Sequence, residues 1–239
     1  MSRTAAFTLF AVLTLSTAPI QGQQTRGGSG FDREAKRAEI GRKIEDRGIQ
    51  TGQTIDDDIV LYVLDGEKIT LGELLGDAST LFVTGSMTCP VAQRSCPRLD
   101  TLEELDSQVD VFVLYTLEAH PEDNEHGVYG PSGGSGASAG RSGFGSGRSR
   151  DPRGVVGSRQ QPETLDERLT LAREFQQSVV GDEVQVVVDG MNDALWSALG
   201  GGPNLAVLFD AEGGVLFKQG WFDIEALKTE LEKSTSGST

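Results

Sequence analysis

From Ile59 onward the chain alternates short apolar runs with turn dipeptides and amphipathic stretches. Ile59-Val60-Leu61-Tyr62-Val63-Leu64 predicts a strand, Asp65-Gly66 a turn, and Lys68 to Thr70 a returning strand; Leu71 to Leu75 follows as a short turn or helix. Leu81-Phe82-Val83 has no polar alternation, as expected of a central strand buried on both faces, and it stops at Thr84-Gly85-Ser86. Pro90 suits the first turn of a helix, which Val91, Leu99, Leu102 and Leu105 continue as an interrupted apolar stripe. Val109 to Tyr115 is again an apolar strand, so strand, helix and strand imply a parallel βαβ unit.

The second half repeats this alternation. Leu165, Leu169, Ala172 and Phe175 mark the apolar face of a helix from Leu165 to Val179. Val184 to Val188 predicts a strand and Asp193 to Leu199 a short helix. Leu205 to Asp210 and Val215 to Gln219 are strands joined across Ala211-Glu212-Gly213-Gly214, and Ile224 to Lys233 is a final helix. The expected class is α/β, with an N-terminal β-hairpin ahead of the parallel unit and a C-terminal hairpin and helix after it.

Four stretches lie outside this pattern. Residues 1–22, with Arg3 ahead of an apolar run from Ala5 to Ala18, read as a signal peptide; the run is shorter than a bilayer span. Residues 23–54 read as a polar lead-in in which Asp32 to Arg47 forms a short helix or stays unfolded. The folded domain is then expected over 55–235, interrupted over 127–160 by a flexible insertion rich in Gly, Ser and Arg, with 236–239 as a tail. The insertion reads as a tolerated surface loop or as a basic lid for an anionic substrate.

With 239 residues, 31 of them glycine and 37% hydrophobic, the chain has room for one core plus unfolded segments. Its net charge of −15 lacks the basic footprint of a nucleic-acid or anionic-membrane binder. Two cysteines and two histidines offer no zinc-type spacing, so no metal or other cofactor is expected and cysteine chemistry here points to redox. Export would place both thiols in an oxidising compartment.

The candidate site begins at Gly85-Ser86-Met87-Thr88-Cys89-Pro90. A cysteine at a strand end and a helix N-terminus is expected to be acidified by the helix dipole, and Ser86 and Thr88 add hydroxyls for the sulfur or a bound electrophile. Glu118 and His120 follow the second central strand at the same sheet edge, where a histidine could hold charge or pass a proton; alternatively the two merely order the loop. Cys96 lies seven residues beyond Cys89, about 10.5 Å along an intact helix. That is too far for a disulfide, whose Cα atoms sit roughly 4.4–6.8 Å apart. Pro97 makes unwinding cheapest there, leaving Cys96 either a resolving or a buried structural cysteine.

The order of elements resembles a thioredoxin fold. Cys89 stands where that family keeps its attacking cysteine, Pro97 where a proline kinks the first helix, and Pro203, before the Leu205 strand, in the place of its cis-proline. Gly85 to Pro90, with Tyr115-Thr116-Leu117-Glu118-Ala119-His120-Pro121, resembles the two signature segments of iodothyronine deiodinases, and coverage runs from about Ile59 to Lys233. The resemblance implies that Cys89 replaces selenocysteine and that Ser86, Tyr115, Glu118 and His120 fall on positions tied to catalysis and proton handling. It breaks at three points. Pro162 stands for a second histidine, Lys218-Gln219-Gly220-Trp221 offers no hormone-binding arginine, and Met87 replaces a frequent cysteine.

The expectation is an exported, deiodinase-like thiol oxidoreductase in which the Cys89 thiolate attacks an iodinated phenol, a peroxide or a disulfide. An external thiol reductant, or Cys96, recycles it. No nucleic-acid partner and no stable membrane anchor are expected. Two alternatives stay open: a peroxiredoxin-like thiol peroxidase, against which Ser86 and Phe82 replace that family's threonine and proline, and a non-enzymatic thioredoxin-fold binding module.

Overall fold

The computed structural model describes residues 29–103, 109–121 and 159–236. The segment read as a signal peptide, His126 and nearly all of the glycine-rich insertion lie outside the described residues. Seven strands form one sheet in the order β2-β1-β5-β4-β3-β6-β7. The N-terminal hairpin pairs β1 (Val60–Tyr62) with β2 (Lys68–Thr70), and β1 also runs antiparallel to β5 (Gln185–Asp189). At the centre, β3 (Ser79–Gly85) and β4 (Val109–Tyr115) are parallel, with Ser79 opposite Val109 and Gly85 opposite Tyr115, and β4 is parallel to β5. On its other side β3 pairs antiparallel with β6 (Ala206–Phe209), which forms the closing hairpin with β7 (Val215–Gln219). A parallel βαβ unit with an antiparallel hairpin beside its first strand is the thioredoxin-like arrangement, here extended by the β1–β2 hairpin.

Side chains of the central strands leave alternately for two layers. Leu81, Val83, Val111, Val113, Val186 and Val188 pack on one face with Ala92, Leu99, Leu169, Phe175 and Leu227. These come from α3 (Ala92–Ser95) and the turn after it, α5 (Leu165–Phe175) and α7 (Ile224–Ser236). On the other face Phe82, Leu114, Val187 and Val207 pack with Ile44, Leu71, Leu195 and Leu199. Those belong to α1 (Ser29–Glu45), α2 (Leu71–Leu74) and α6 (Ala194–Leu199). Both faces of the sheet are therefore covered, which is why its strands read as unbroken apolar runs rather than as alternation.

Three local outcomes differ from the sequence reading. The end of α1 is part of the packed body: Ile44 is buried, and the Lys218 ammonium, itself buried in β7, donates to the carbonyls of Arg47 and Ile49. The helix expected from Pro90 is in pieces, with a turn at Pro90-Val91, the four-residue α3, a 3₁₀ turn over Cys96–Arg98 and α4 (Asp100–Glu103). Cys96 itself keeps helical dihedrals, φ −59° and ψ −37°, so Pro97 tightens the chain into 3₁₀ geometry without displacing the residue before it. α5 begins as expected, Thr164 and Glu167 forming a reciprocal capping box, but its last turn widens into a π-turn over Gln176–Val180. Among the described residues no helix is long and apolar enough to cross a membrane.

Candidate active site at the carboxyl edge of the central strands

Because β3 and β4 are parallel and in register to their last residues, the loops beyond them leave the sheet side by side. The pairing continues past the strand ends, with the Thr116 N–H donating to the Gly85 carbonyl at 3.1 Å. From there the two loops are bonded to one another almost residue by residue. The Ala119 N–H donates to Ser86 Oγ (3.2 Å), the His120 N–H to Thr88 Oγ1 (3.0 Å), and the Thr88 N–H to Glu118 Oε2 (2.7 Å). Tyr115 Oη accepts from the Met87 N–H at 3.4 Å and donates to Glu118 Oε1. Backbone donors of each loop thus find side-chain acceptors on the other.

Ser86, Thr88, Cys89, Tyr115 and Glu118 are all buried, and the structure brings them together around the Cys89 turn. Cys89 Sγ accepts the Ala92 N–H at 3.5 Å. Burial nonetheless pushes the Cys89 thiol pKa above its ordinary value; the Ala92 and Val91 amides pull it down, and the Glu118 carboxylate adds to the rise. This corrects the expectation of an acidified thiolate. The helix begins only at Ala92, three residues past the sulfur, and is four residues long, so a dipole too short to matter faces an almost complete loss of water. Burial raises the Cys96 thiol as well, with the nearby Cys89 the next cause. Both cysteines are free thiols.

Two further expectations change. The Ser86 and Thr88 hydroxyls accept from the backbone of the neighbouring loop, so they fasten the Glu118 loop rather than touch the sulfur. Glu118 faces Tyr115 and Thr88, while His120 is exposed, with what burial it has lowering its pKa. Tyr115 rises well above the ordinary phenol range through burial and through its donation to Glu118, and so stays protonated. Pro203 is not a cis-proline: among the described residues no peptide bond is cis. Gly200 and Gly201, with φ of 111° and 70°, make the turn instead. Thr84 secures the segment leading into β6, its hydroxyl donating to the Gly202 carbonyl at 2.8 Å and accepting the Leu205 N–H at 2.9 Å.

Four polar residues of the surroundings escaped the sequence reading. Gln161 Oε1 accepts the Glu118 N–H at 2.7 Å and lines a groove of about 580 Å³ with Pro162, Glu163, Asp166 and Leu171. Arg168, 1% exposed on α5, donates to the carbonyls of Asp189 and Gly190 and pairs with Asp193 at 2.8 Å. Asp189 accepts the Leu195 and Trp196 amides, and burial lifts its pKa to about 6. Asn204 donates to the Thr84 carbonyl and to Ser95, tying the Pro203 loop to α3. Only Arg168 carried a sequence signal, its place next to Leu169 on the apolar face of α5. Among the described residues one carboxylate cluster, the exposed Asp56, Asp57 and Asp58, has metal-ligand spacing, and it belongs to the loop before β1.

No family model matches this sequence, and no curated protein does. Among solved structures the chain is similar to a thioredoxin-like protein from Aeropyrum pernix, at 15% identity and a TM-score of 0.47 over 86% of this chain and 96% of that one. It is also similar to the thioredoxin domain of a thiol-disulfide oxidoreductase from Bacteroides vulgatus, at 12% identity and a TM-score of 0.46 over 77% and 97%. A peroxiredoxin-like protein from Aquifex aeolicus matches at 12% identity and a TM-score of 0.43 over 79% and 90%. At these levels the likeness is one of chain path, and it carries no argument about activity. The thioredoxin-like fold of this chain rests on its own strand order and on the parallel β3–β4 pair that carries Cys89.

Proposed function

We propose that this protein is an exported thiol oxidoreductase of deiodinase-like pattern, with Cys89 as the nucleophile. The observation that supports this best is the bonding of the Cys89 turn to the Tyr115–Glu118–His120 loop, which sets a carboxylate and a phenol beside the cysteine at the sheet edge. The resting thiol is protonated, so its deprotonation is coupled to substrate arrival. The sulfur then forms a bond to the electrophilic atom, and the bond to the leaving group breaks. That group departs with the electron pair and takes up a proton. In an iodinated phenol the atom attacked is iodine, in a peroxide an oxygen, in a disulfide a sulfur. An external thiol returns Cys89 to the reduced state, and the reaction needs no resident cofactor. Glu118 and Tyr115 act as positioning residues that keep the turn in place and hold a proton close to it.

A specific observation favours a second reading. Cys89 is 2% exposed with a raised pKa, as in a binding module that keeps the fold without the chemistry. Turnover decides between the two. With dithiothreitol as reductant, the protein and Cys89→Ser are assayed on an iodinated phenol, hydrogen peroxide and a mixed disulfide. The enzyme reading expects turnover of at least one, lost in Cys89→Ser; no turnover by the folded protein, or equal turnover by the variant, overturns it.

A further inference from the structure

We propose that Cys96 is the thiol that resolves Cys89, and that the two meet through unravelling of the segment between them. The proposal rests on the reading of Cys89 as a nucleophile. In the folded state the two are free thiols, held apart along the chain by helical backbone bonds. The Gln93 N–H donates to the Cys89 carbonyl at 3.0 Å, the Ser95 N–H to that of Val91 at 2.9 Å, and the Cys96 N–H to that of Ala92. A fully α-helical path of seven residues would advance about 10.5 Å, beyond the roughly 4.4–6.8 Å between bridged Cα atoms.

The same segment is built to open. It comprises a turn, the four-residue α3, a three-residue 3₁₀ turn carrying Pro97 and the four-residue α4, and short helical pieces of this kind lose few bonds when they melt. The 3₁₀ turn at Cys96–Arg98 packs against the π-turn at Gln176–Val180, so two irregular helix ends meet beneath it. Its outer ties are at the surface, namely Arg94 to the Pro90 carbonyl and the exposed Arg98–Glu225 pair. Both sulfurs lie in one buried cluster with Leu99 and Leu102, so opening releases both into the same space.

The chemistry balances without a further reagent. The Cys89 thiol loses its proton to solvent and attacks a disulfide RSSR, so that Cys89–S–S–R forms, the S–S bond of RSSR breaks and RS⁻ leaves with the electron pair. The Cys96 thiol then loses its proton and attacks the Cys89 sulfur, forming the Cys89–Cys96 bridge and breaking the bond to SR. The second RS⁻ leaves with the electron pair, and an external dithiol later reduces the bridge.

The test treats the full-length protein with excess aromatic disulfide, follows thiolate release and maps the product by mass spectrometry. Expected are two equivalents of aryl thiolate and a product 2 Da lighter, with a Cys89–Cys96 bridge. Cys96→Ser releases one equivalent and keeps the aryl adduct on Cys89. Pro97→Ala, which restores a regular helix, leaves the first phase unchanged and slows the second about tenfold. A wild-type protein that stops at one equivalent with the adduct on Cys89, or ends with adducts on both cysteines, overturns the role of Cys96. Absence of any release from the folded protein overturns the nucleophile reading and this proposal with it.

Discussion

Cys89 is placed by its neighbours for reaction but not for ionisation, since burial and the Glu118 carboxylate both hold its proton in place. Its alkylation by iodoacetamide is therefore expected to be slow at pH 7 and to go on rising beyond about pH 9, where an ordinary thiol levels off. A plateau reached below about pH 8 contradicts this. Asp189 gives a second prediction. Its folded pKa of about 6 lies above the ordinary 3.8, so the native state binds the proton more tightly than the unfolded chain does. The stabilisation is complete below pH 3.8 and is lost as pH rises through 6, by an amount on the order of 3 kcal/mol. Asp189→Asn, which keeps one acceptor oxygen for the Leu195 or the Trp196 amide and does not titrate, is expected to flatten stability over that window in urea titrations at stepped pH. An unchanged slope places the proton elsewhere.

At the scale of elements, the end of β3 decides where Cys89 emerges. A Cβ added at Gly85 would meet the Phe175 ring at 3.3 Å and the Ala92 Cβ at 3.4 Å, so strand, α3 and α5 close on one another there. Gly85→Ala is expected to cost about 1–3 kcal/mol in chemical denaturation and to slow turnover by moving the Cys89 turn; a neutral effect on both means that the closure is slack. The strands themselves were legible because a run such as Leu81-Phe82-Val83 serves two covered faces, and β4 lies at the residues the pattern marks. The helix after Cys89 was legible only as a tendency. Its 3₁₀ turn at Cys96–Arg98 falls at Pro97, where the sequence marked a weak point, but the packing of that turn against the π-turn is recorded by no periodicity. The π-turn itself and the α1 contact with β7 depend on tertiary fit in the same way.

For the whole molecule, the parallel β3–β4 pair converts two distant sequence segments into one edge, which is why the neighbourhood of Cys89, Tyr115 and Glu118 could be read from chain order alone. The partners within that edge could not. Glu118 turns to Tyr115 and Thr88, because a buried carboxylate requires donors and the two loops supply them. The acidity of Cys89 likewise depends on burial by the assembled body, not on its place before a helix. Whether this edge tunes a reactive thiol is read out by Glu118→Gln. The isosteric amide keeps an oxygen for Thr88 or Tyr115 but removes the charge. Cys89 alkylation at pH 7 is expected to quicken by up to about tenfold, as one pKa-raising charge is lost, while turnover of the productive electrophile falls roughly 10²-fold or more with loss of a proton-handling group. If alkylation and turnover both stay at wild-type rates in a folded variant, Glu118 only orders the loop and the edge does not tune the thiol.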